Sequence, residues 1–274
     1  MDKIASIEDI VSNVAAVRNM GKGFITNFYL NEPKHKLWID KGVFFSELVG
    51  ETYFLIKCNN GFWNVFYTTT SIEALNSDLK TFCANYANAT VMIDVVGRNE
   101  SCEQIALSLS NIGFSEYCKL VRMSRKMPEP KACESECVTF ATKADAASVL
   151  ELLHEFFDER TEQIPYLEEL EDLAKSNQML VLKEDGKFAG YLIFELSKVS
   201  IYLRYWFVHP DFRNKGVGSR LLNRFFYEGR LTKRAQHWVI CSNDNAIKRY
   251  RHFGYEPENM YDYVLTNKNI RYEG

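Results

Sequence analysis

The sequence has little that would direct the protein to a membrane, to secretion or to nucleic acid. Its apolar runs all fall short of the ~20 residues that a transmembrane helix needs. The opening residues, MDKIASIEDI, contain acids where a secretion signal has a basic and then an apolar segment. The formal net charge of −3 provides no overall positive field for nucleic acid. We therefore expect no membrane association, no secretion signal and no nucleic-acid partner.

Cysteine is scattered and shows no pairing pattern. The chain has seven cysteines, and an odd, dispersed set is typical of free thiols in a reducing compartment. Cys133 and Cys137 form the one close pair, but no further ligands follow at zinc-like spacing. The sequence therefore predicts a cytoplasmic protein without a metal site.

The composition is that of a globular protein with ample core material. Hydrophobic residues make up 46% of the 274 positions and charged residues 25%, which is enough for one large domain or two ordinary ones. Residues 127–137, MPEPKACESEC, form a polar segment with two prolines, as linkers often do. The succession of predicted helices and strands begins again after it. We predict an α/β domain at 1–127, a linker at 128–137 and a second α/β domain at 138–274.

One stretch of the second domain predicts an anion site. Residues 201–208 are aromatic and β-branched, which indicates a buried strand, and Pro210 ends it because proline has no amide hydrogen for a sheet. A turn with Gly216 and Gly218 follows, and then apolar residues at helical spacing. The first amides of a helix have no partners within it, so a phosphate can bind there beside glycines that carry no β-carbon. The predicted ligand is a pyrophosphate, and the alternative is a solvated basic turn before an amphipathic helix.

Two motifs give the second domain a family resemblance. Residues 208–222, VHPDFRNKGVGSRLL, resemble the pyrophosphate loop of the GNAT superfamily of acyl-CoA-dependent N-acyltransferases. Residues 243–255, NDNAIKRYRHFGY, resemble its later Asn-to-Tyr segment, in the right order and spacing. The likeness covers residues 138–266, nearly a whole GNAT domain. It implies a mixed α/β fold in which acetyl-CoA lies between two parallel strands that splay apart, here 201–208 and 237–241.

The resemblance also assigns residues to the cosubstrate. Backbone groups near the end of the central strand would bind pantetheine, and the amides of the glycine turn would bind the pyrophosphate. The implied contacts to acetyl-CoA are Phe207, Val208, Arg213, Asn214, Lys215, Gly216, Val217, Gly218, Ser219, Asn243, Ala246 and Tyr250. No metal is implied.

Two residues are candidates for proton transfer. Tyr250 matches the tyrosine that, in many members of the family, protonates the departing CoA thiolate. Aminolysis of a thioester needs a neutral amine and an acid for the sulfur, and a phenol with a pKa of about 10 can donate to a thiolate as it forms. The alternative is that Tyr250 is a packed aromatic on an amphipathic helix. Glu195, near a strand end, is the candidate general base acting through water, and its alternative is a plain exposed charge.

Three residues of the central strand are candidates for contact with the acceptor. They are Tyr202, Arg204 and Tyr205. Strict strand alternation sends Tyr202 and Arg204 to one face and Tyr205 to the other. We therefore expect that not all three contact the acceptor.

The first domain echoes the second without its glycine turn. Residues 62–125 repeat the order strand, helix, strand, helix, Gly-Phe, strand. The loop 67–71, YTTTS, stands where the glycine turn should be, and it has neither glycine nor a basic residue. This pattern indicates a degenerate GNAT-like half that has lost its anion site, and the alternative is a generic α/β domain.

Taken together, these residues predict an N-acetyltransferase that transfers an acetyl group from acetyl-CoA to a primary amine of a small molecule or peptide. One alternative is a binding or sensory module that retains acyl-CoA without turnover. Another is an aminoacyl- or peptidoglycan-directed transferase on a tandem-GNAT body, although the near-neutral charge gives no support to tRNA binding. The acceptor, the acyl length and whether the chain forms a homodimer are left open by the sequence.

Overall fold

The computed structural model describes residues 1–127 and 137–272, and their contacts form two compact units. Unit 1 comprises 1–121, 240–242 and 259–272, and unit 2 comprises 122–127, 137–239 and 243–258. The predicted linker, 128–137, lies outside the described residues except for Cys137. No helix among the described residues is long and apolar enough to cross a bilayer.

Unit 1 is a sheet with helices packed against it. Its helices are α1 (Ile7–Asn19), α2 (Glu32–Asp40), α3 (Ile72–Asn85) and α4 (Asn99–Ser110). Its strands are β1 (Asp2–Lys3), β2 (Ile25–Thr26), β3 (Phe44–Val49), β4 (Thr52–Cys58), β5 (Trp63–Thr69), β6 (Val91–Gly97) and the first part of β7 (Ser115–Lys126). Residues 59–61, Asn-Asn-Gly, lie between two apolar runs and predict a hairpin, because Asn-Gly tolerates a positive φ. The hairpin is confirmed, since β4 and β5 pair antiparallel across a turn in which Gly61 has a φ of 82°.

Helix α3 shows why the first unit folds as its sequence predicts. The Ser71 hydroxyl oxygen accepts a hydrogen bond from the Ala74 amide at 3.1 Å, which satisfies one of the free amides at the helix start. Leu75, Leu79 and Phe82 then form one apolar stripe and are fully buried against the sheet. The sequence predicts a helix capped by Ser71, with Ile72, Leu75, Leu79 and Phe82 as its apolar stripe. The cap and the burial of the last three are confirmed.

Unit 2 contains the strand at 201–208, the glycine turn and the following helix, for which the sequence predicts an anion site. Its helices are α5 (Ala146–Phe156), α6 (Leu167–Lys175), α7 (Val217–Glu228) and α8 (Asp244–His252). Its strands are β8 (Val138–Phe140), β9 (Met179–Glu184), β10 (Lys187–Leu196), β11 (Ser200–Val208), most of β12 (Arg234–Ile240) and the start of β13 (Glu256–Thr266). Within the unit, β8 to β12 lie side by side in the order β8-β9-β10-β11-β12.

Strands β11 and β12 are parallel and pair over a short distance. Their register joins Ser200 to Arg234, Ile201 to Ala235 and Tyr202 to Gln236, whereas β11 continues to Val208. The later part of β11 therefore has its side toward β12 open. This is the splayed pair that the family resemblance implies.

A bulge interrupts the pairing of β10 with β11. Ile193 pairs with Tyr205 while the next residue, Phe194, pairs with Leu203. Arg204 is thus the extra residue on β11, and the side chains before and after it change faces.

The bulge overturns the alternation expected for the central strand. Tyr205 packs in the core formed with α5 and α6, whereas Phe194, one residue past the shift, packs on Phe225 of α7 with ring centroids 5.8 Å apart. Glu195 and Tyr202 are cross-strand partners and so share the face opposite to Phe194. The expectation that Tyr202 and Tyr205 point to opposite faces is therefore wrong, because strict alternation does not survive an inserted residue.

The C-terminal strand pairs inside unit 1. The sequence pattern at 261–266 predicts a strand that closes the sheet of the second domain. In the structure these residues belong to β13 and instead run antiparallel to β6. The division of the sequence into domains at 1–127 and 138–274 with a linker at 128–137 stays a prediction. The two units are defined by contacts between residues, and such contacts do not show where a domain begins along the sequence.

Candidate functional site

The glycine turn before α7 forms an open cradle. Asn214 and Gly216 have φ values of 62° and 75°, and the second favours glycine because a β-carbon is disfavoured in the left-handed region. A β-carbon built on Gly216 would meet no atom within 4 Å, so the space above the helix start is open. The 12-residue helix α7 directs its first amides and the positive end of its dipole there.

A cavity of about 230 Å³ opens at this helix start. Arg213 lines it from the turn and Arg249 lines it from α8, so two guanidinium groups add positive charge. The full lining is Trp206, Val208, Phe212, Arg213, Asn214, Gly216, Val217, Gly218, Ser219, Arg249, His252 and Phe253. The size, charge and free amides suit a pyrophosphate with part of its attached chain.

Helix α7 approaches β11 closely at Gly218. A β-carbon there would lie 2.9 Å from Cζ2 of Trp206 and 3.3 Å from Cγ2 of Val208. Only glycine allows this approach without displacing the indole. Gly218 therefore fixes how near the cradle lies to the central strand.

Tyr250 lies between the two splayed strands. Its ring centroid is 5.5 Å from that of Trp206 on β11 and 3.6 Å from that of His237 on β12. Burial raises the pKa of Tyr250, and the carboxylate of Glu162 raises it further, while Arg249 lowers it. The phenol therefore stays protonated at neutral pH and is available as a proton donor.

His237 is a buried neutral imidazole that the sequence analysis missed. Its side chain is 1% exposed, and within the described residues neither ring nitrogen has a hydrogen-bond partner. Burial lowers the pKa of His237 to about 3, because the charged form is penalised where water is excluded. The sequence showed only a histidine at the start of a strand, without any signal of its contact with Tyr250.

Glu162 is a second residue that the sequence analysis missed. It lies in the loop between α5 and α6, and the Tyr205 hydroxyl donates a hydrogen bond to the carbonyl of the next residue, Gln163, at 3.1 Å. Glu162 is partly exposed, yet burial raises the pKa of its carboxyl to about 7, against the opposing effect of Arg204.

The predicted acceptor residues gather on the face toward α5 and α6. Arg204 and Glu195 form an ion pair, with Nη1 of Arg204 at 3.3 Å from Oε1 of Glu195. The Arg204 side chain is 15% exposed and that of Glu195 50% exposed. Tyr202 and Tyr205 share this face, as the bulge requires. Glu195 is thus a strand-end carboxylate with a cationic partner.

Not every predicted cosubstrate residue lines the cavity. Val208, Arg213, Asn214, Gly216, Val217, Gly218 and Ser219 do. Lys215 belongs to the same turn, with Nζ 4.9 Å from the ring centroid of Phe212. The side chain of Phe207 is buried on the opposite face against Tyr191, 5.2 Å between ring centroids, so only its backbone is available to a ligand.

Asn243 and Ala246 meet at the start of α8. The Asn243 side-chain oxygen accepts a hydrogen bond from the Ala246 amide at 3.0 Å, which is the geometry of a helix cap. The pair therefore has a structural role in starting the helix that presents Tyr250. Contact of either residue with a cosubstrate stays a prediction.

In unit 1 the space between the two parallel strands β5 and β6 is occupied by a side chain of the same unit, Asn27. Strands β5 and β6 are parallel and pair only through Trp63–Val91 and Asn64–Met92 among the described residues. Beyond these pairs, Asn27 bridges the strands: its Oδ1 accepts from the Tyr67 amide at 2.6 Å, and its Nδ2 donates to a backbone carbonyl of β6 at 2.8 Å.

The loop that replaces the glycine turn in unit 1 is also covered. A β-carbon on Gly23 would collide with the carbonyl oxygen of Thr70, so the segment before β2 lies directly on that loop. The Thr70 hydroxyl donates to the carboxylate of Glu51, which also forms an ion pair with Lys22. In unit 1 the loop at this position is therefore covered by the segment before β2, and Lys22 beside it is paired with a carboxylate.

Among the described residues, no group of three or more His, Cys, Asp or Glu side chains could hold a metal ion. The features that the structure does bring together are the cradle, the adjoining cavity and the Tyr250 ring between two splayed strands.

Comparison with known proteins agrees with this arrangement. Residues 146–255 match the model of the acetyltransferase (GNAT) family. A comparison with curated proteins gives no match. Among solved structures, a GCN5-related N-acetyltransferase from Sphaerobacter thermophilus is similar, with a TM-score of 0.56, 18% identity, and coverage of 78% of this chain and 75% of that one.

Two further solved structures extend the likeness along the chain. A tandem GNAT protein from the clavulanic acid biosynthesis pathway has a TM-score of 0.56 at 14% identity, covering 78% of both chains. A GNAT-family acetyltransferase from Colwellia psychrerythraea has a TM-score of 0.55 at 11% identity, covering 96% of this chain and 97% of that one. Identities this low show a shared fold and nothing finer. Residues 146–255 are thus a GNAT-family acetyltransferase domain, in a chain that has the mixed α/β fold of GNAT proteins, tandem ones included.

Proposed function

We propose that the protein transfers an acetyl group from acetyl-CoA to a primary amine of a small molecule or peptide, by direct attack of the amine on the thioester. The observation that carries this proposal is the position of Tyr250 between the splayed strands, where its ring packs on Trp206 and His237, and Trp206 in turn lines the cavity at the start of α7. A phosphate site and a proton donor are thereby adjacent.

The cradle and the open side of β11 account for binding of acetyl-CoA. The amides of Val217, Gly218 and Ser219, with the guanidinium groups of Arg213 and Arg249, supply donors and positive charge for the pyrophosphate. The register of β11 with β12 ends at Tyr202. Backbone groups of β11 nearer Val208 are therefore free of β12 and suit the amides of pantetheine.

Tyr250 supplies the proton for the leaving group. The thioester of acetyl-CoA provides the electrophile, and the attacking amine displaces a thiolate that needs a proton. The raised pKa of Tyr250, caused by burial and then by Glu162, keeps the phenol protonated until a thiolate forms beside it. Trp206 and His237 hold the ring from either side, so the donor is positioned before the reaction begins.

Free thiol release from acetyl-CoA, followed with a panel of primary amines, tests the proposal. Tyr250→Phe should lower kcat by about 10²–10³-fold, as expected for loss of a general acid. The affinity for acetyl-CoA should stay within about threefold, because the ring contacts with Trp206 and His237 are kept. Tight binding of acetyl-CoA without turnover on any amine would instead favour a binding or sensory module.

We also propose a cytoplasmic location. Five cysteines of the described residues have free thiols, namely Cys58, Cys83, Cys102, Cys137 and Cys241, which suits a reducing compartment. Recovery of the native protein in a soluble cytoplasmic fraction would support this location, and recovery in an oxidising compartment would contradict it.

A further inference from the structure

Two tight turns lie side by side at one end of unit 2. The first turn, 197–200, joins β10 to β11, and the second turn, 229–232, follows α7. Each is closed by a backbone hydrogen bond between its first and last residues, at 2.9 Å in the first turn and 2.8 Å in the second. The Lys233 amide donates to the Val199 carbonyl at 2.9 Å, which holds the second turn against the first.

Three apolar side chains are exposed around these turns. Val199 in the first turn is 51% exposed and Leu231 in the second is 88% exposed. Leu196, the last residue of β10, is 50% exposed. It lies two residues after Phe194 and therefore points to the same face of the sheet, toward α7 and the second turn. We call Leu196, Val199 and Leu231 the apolar patch, and exposed apolar side chains that lie together are typical of a binding surface.

Four cations lie around the apolar patch. Lys198 precedes the apolar residue of the first turn, and Arg230 precedes that of the second. Lys233 and Arg234 follow the second turn, and both are exposed, as is Lys198. The Arg230 guanidinium lies over the Tyr227 ring, 4.2 Å from its centroid. Each turn therefore presents one apolar side chain next to one positive charge.

The carboxylates of the same elements are already paired. Strands β10, β11 and β12, helix α7 and the two turns contain two carboxylates, Glu195 and Glu228. Glu195 forms an ion pair with Arg204 at 3.3 Å, and Glu228 forms one with Arg224 at 2.6 Å. The charge of the four cations is therefore not cancelled by the elements that carry them.

Strands β7 and β13, which lie beyond β12 in the sheet, add no net charge at this end. Lys126, the last residue of β7, and Glu256, the first residue of β13, are both exposed. Glu258 is paired with Arg122. Among residues 1–127 and 137–272, the surface around the apolar patch is thus positive, although the whole chain has a net charge of −3.

The chemistry of this surface fits an anionic lipid surface better than a peptide. Apolar side chains at the tips of turns can enter the boundary between headgroups and acyl chains, while lysine and arginine attract anionic headgroups. A peptide partner is commonly held in a groove or along a sheet edge. The exposed apolar groups here lie on two turns, and Leu231 has almost no contact with the rest of the chain.

We propose that the apolar patch and its four cations dock unit 2 on an anionic lipid surface. Sequence patterns predict no membrane association because the chain lacks a long apolar run and an overall positive charge. Peripheral docking requires neither, since the fold assembles the patch from two separate turns. The patch lies at the start of β11, whereas the cradle lies at its end. This inference is independent of acetyl transfer.

Flotation with lipid vesicles tests the proposal. The wild type should float with phosphatidylcholine vesicles that contain about a quarter phosphatidylserine, and not with phosphatidylcholine alone. Its partition coefficient should fall at least tenfold between about 50 and about 500 mM NaCl, because salt screens the cations. Leu231→Ser should lower the partition coefficient about tenfold, and Lys233→Gln about fivefold. Leu107→Ser is the matched control, since Leu107 is 67% exposed on α4 of unit 1, and it should bind as the wild type does.

Fluorescence of Leu231→Trp reports insertion directly. After subtraction of the wild-type spectrum, emission of the new indole should shift to shorter wavelength when the anionic vesicles are added, because the ring leaves water. Leu107→Trp should show no shift. A Leu231→Trp emission that stays at its value in water would contradict insertion of the second turn.

Three flotation results would overturn the proposal. They are no binding to either vesicle, equal binding to both vesicles, and binding by Leu231→Ser that equals the wild type. Binding of polyglutamate that depends on Leu231, without binding to vesicles, would assign the surface to an acidic protein partner instead. Thermal unfolding of each variant checks that the fold is kept, and failure to bind acetyl-CoA would refute only the proposed function.

Discussion

The rings of Tyr250 and His237 are in contact, with centroids 3.6 Å apart and planes tilted by 33°. One ring comes from α8 and the other from β12, and Trp206 of β11 lies on the far side of Tyr250 at 5.5 Å. The phenol is therefore held between the two strands that splay apart. Its position results from packing with no hydrogen bond to the imidazole, whose nitrogens have no partner among the described residues.

His237 should make the protein lose stability in mild acid. Burial lowers the pKa of His237 to about 3, whereas an unfolded histidine titrates at about 6.5. Between these values the unfolded chain binds more protons than the native one, so stability falls as the pH falls. From pH 8 to pH 5 this one residue should cost about 2 kcal/mol.

Urea unfolding of wild type and His237→Phe at pH 8 and pH 5 measures that cost. The variant should lose about 2 kcal/mol less than wild type over this range, since all other titrating groups are common to both. An equal loss in the two proteins would mean that His237 is charged, or accessible, in the native state.

Glu162 should have the opposite dependence on pH. Burial raises the pKa of its carboxyl to about 7, above the 4.5 of an ordinary glutamate. Between the two values the native state binds more protons than the unfolded chain, so ionisation of Glu162 lowers stability as the pH rises. Glu162→Gln should therefore be more stable than wild type at pH 8 and lose that advantage at pH 4. A variant that is less stable at pH 8 would contradict this account of the loop.

Substitution of Gly218 should destabilise the protein and distort the cradle at the start of α7. In Gly218→Ala the new β-carbon would lie 2.9 Å from Cζ2 of Trp206, so α7 or the indole must move, at about 1–3 kcal/mol. Weaker binding of acetyl-CoA should accompany this loss. Gly216→Ala is the control, because a β-carbon at that position would meet no atom within 4 Å. It should lower the free energy of unfolding by about 1 kcal/mol, and only because of the left-handed backbone there. Thermal unfolding and calorimetry of both variants would measure the difference, and an unperturbed Gly218→Ala would contradict the packing.

Asn27 should matter for stability and not for acetyl-CoA. Asn27→Ala would leave the Tyr67 amide and a carbonyl of β6 without partners, at about 1–3 kcal/mol for each group that stays buried. Binding of acetyl-CoA should be unchanged, because the cradle belongs to unit 2. Asn60→Ala is the control, since that residue is exposed in the turn between β4 and β5 of the same unit. Altered affinity for acetyl-CoA in Asn27→Ala would place a ligand in unit 1.

Local patterns were sufficient to predict the elements around the cradle. The apolar strand, the proline that follows it, the glycine turn and the helical stripe after it each depend on neighbouring residues, and β11 and α7 lie where these patterns place them. The same holds for the cap of α3 at Ser71.

Features that depend on distant contacts were not predictable from the sequence. The bulge at Arg204 is visible only in the register of β10 with β11, and Asn27 bridges residues 40 and 67 positions away. Glu162 lies in a loop without a motif, and its raised pKa results from burial that only the fold creates. The site residues that sequence reasoning missed are therefore those whose role depends on tertiary packing.

Calorimetric titration with acetyl-CoA tests the central claim that the chain has one acyl-CoA site, at the cradle of unit 2. Gly216→Glu would place a carboxylate in the open space above α7, and Gly216→Ala has the same backbone cost without the charge. We predict one site per chain in the wild type, retained in Gly216→Ala and lost in Gly216→Glu. Two sites per chain, or binding that survives in Gly216→Glu, would contradict the account.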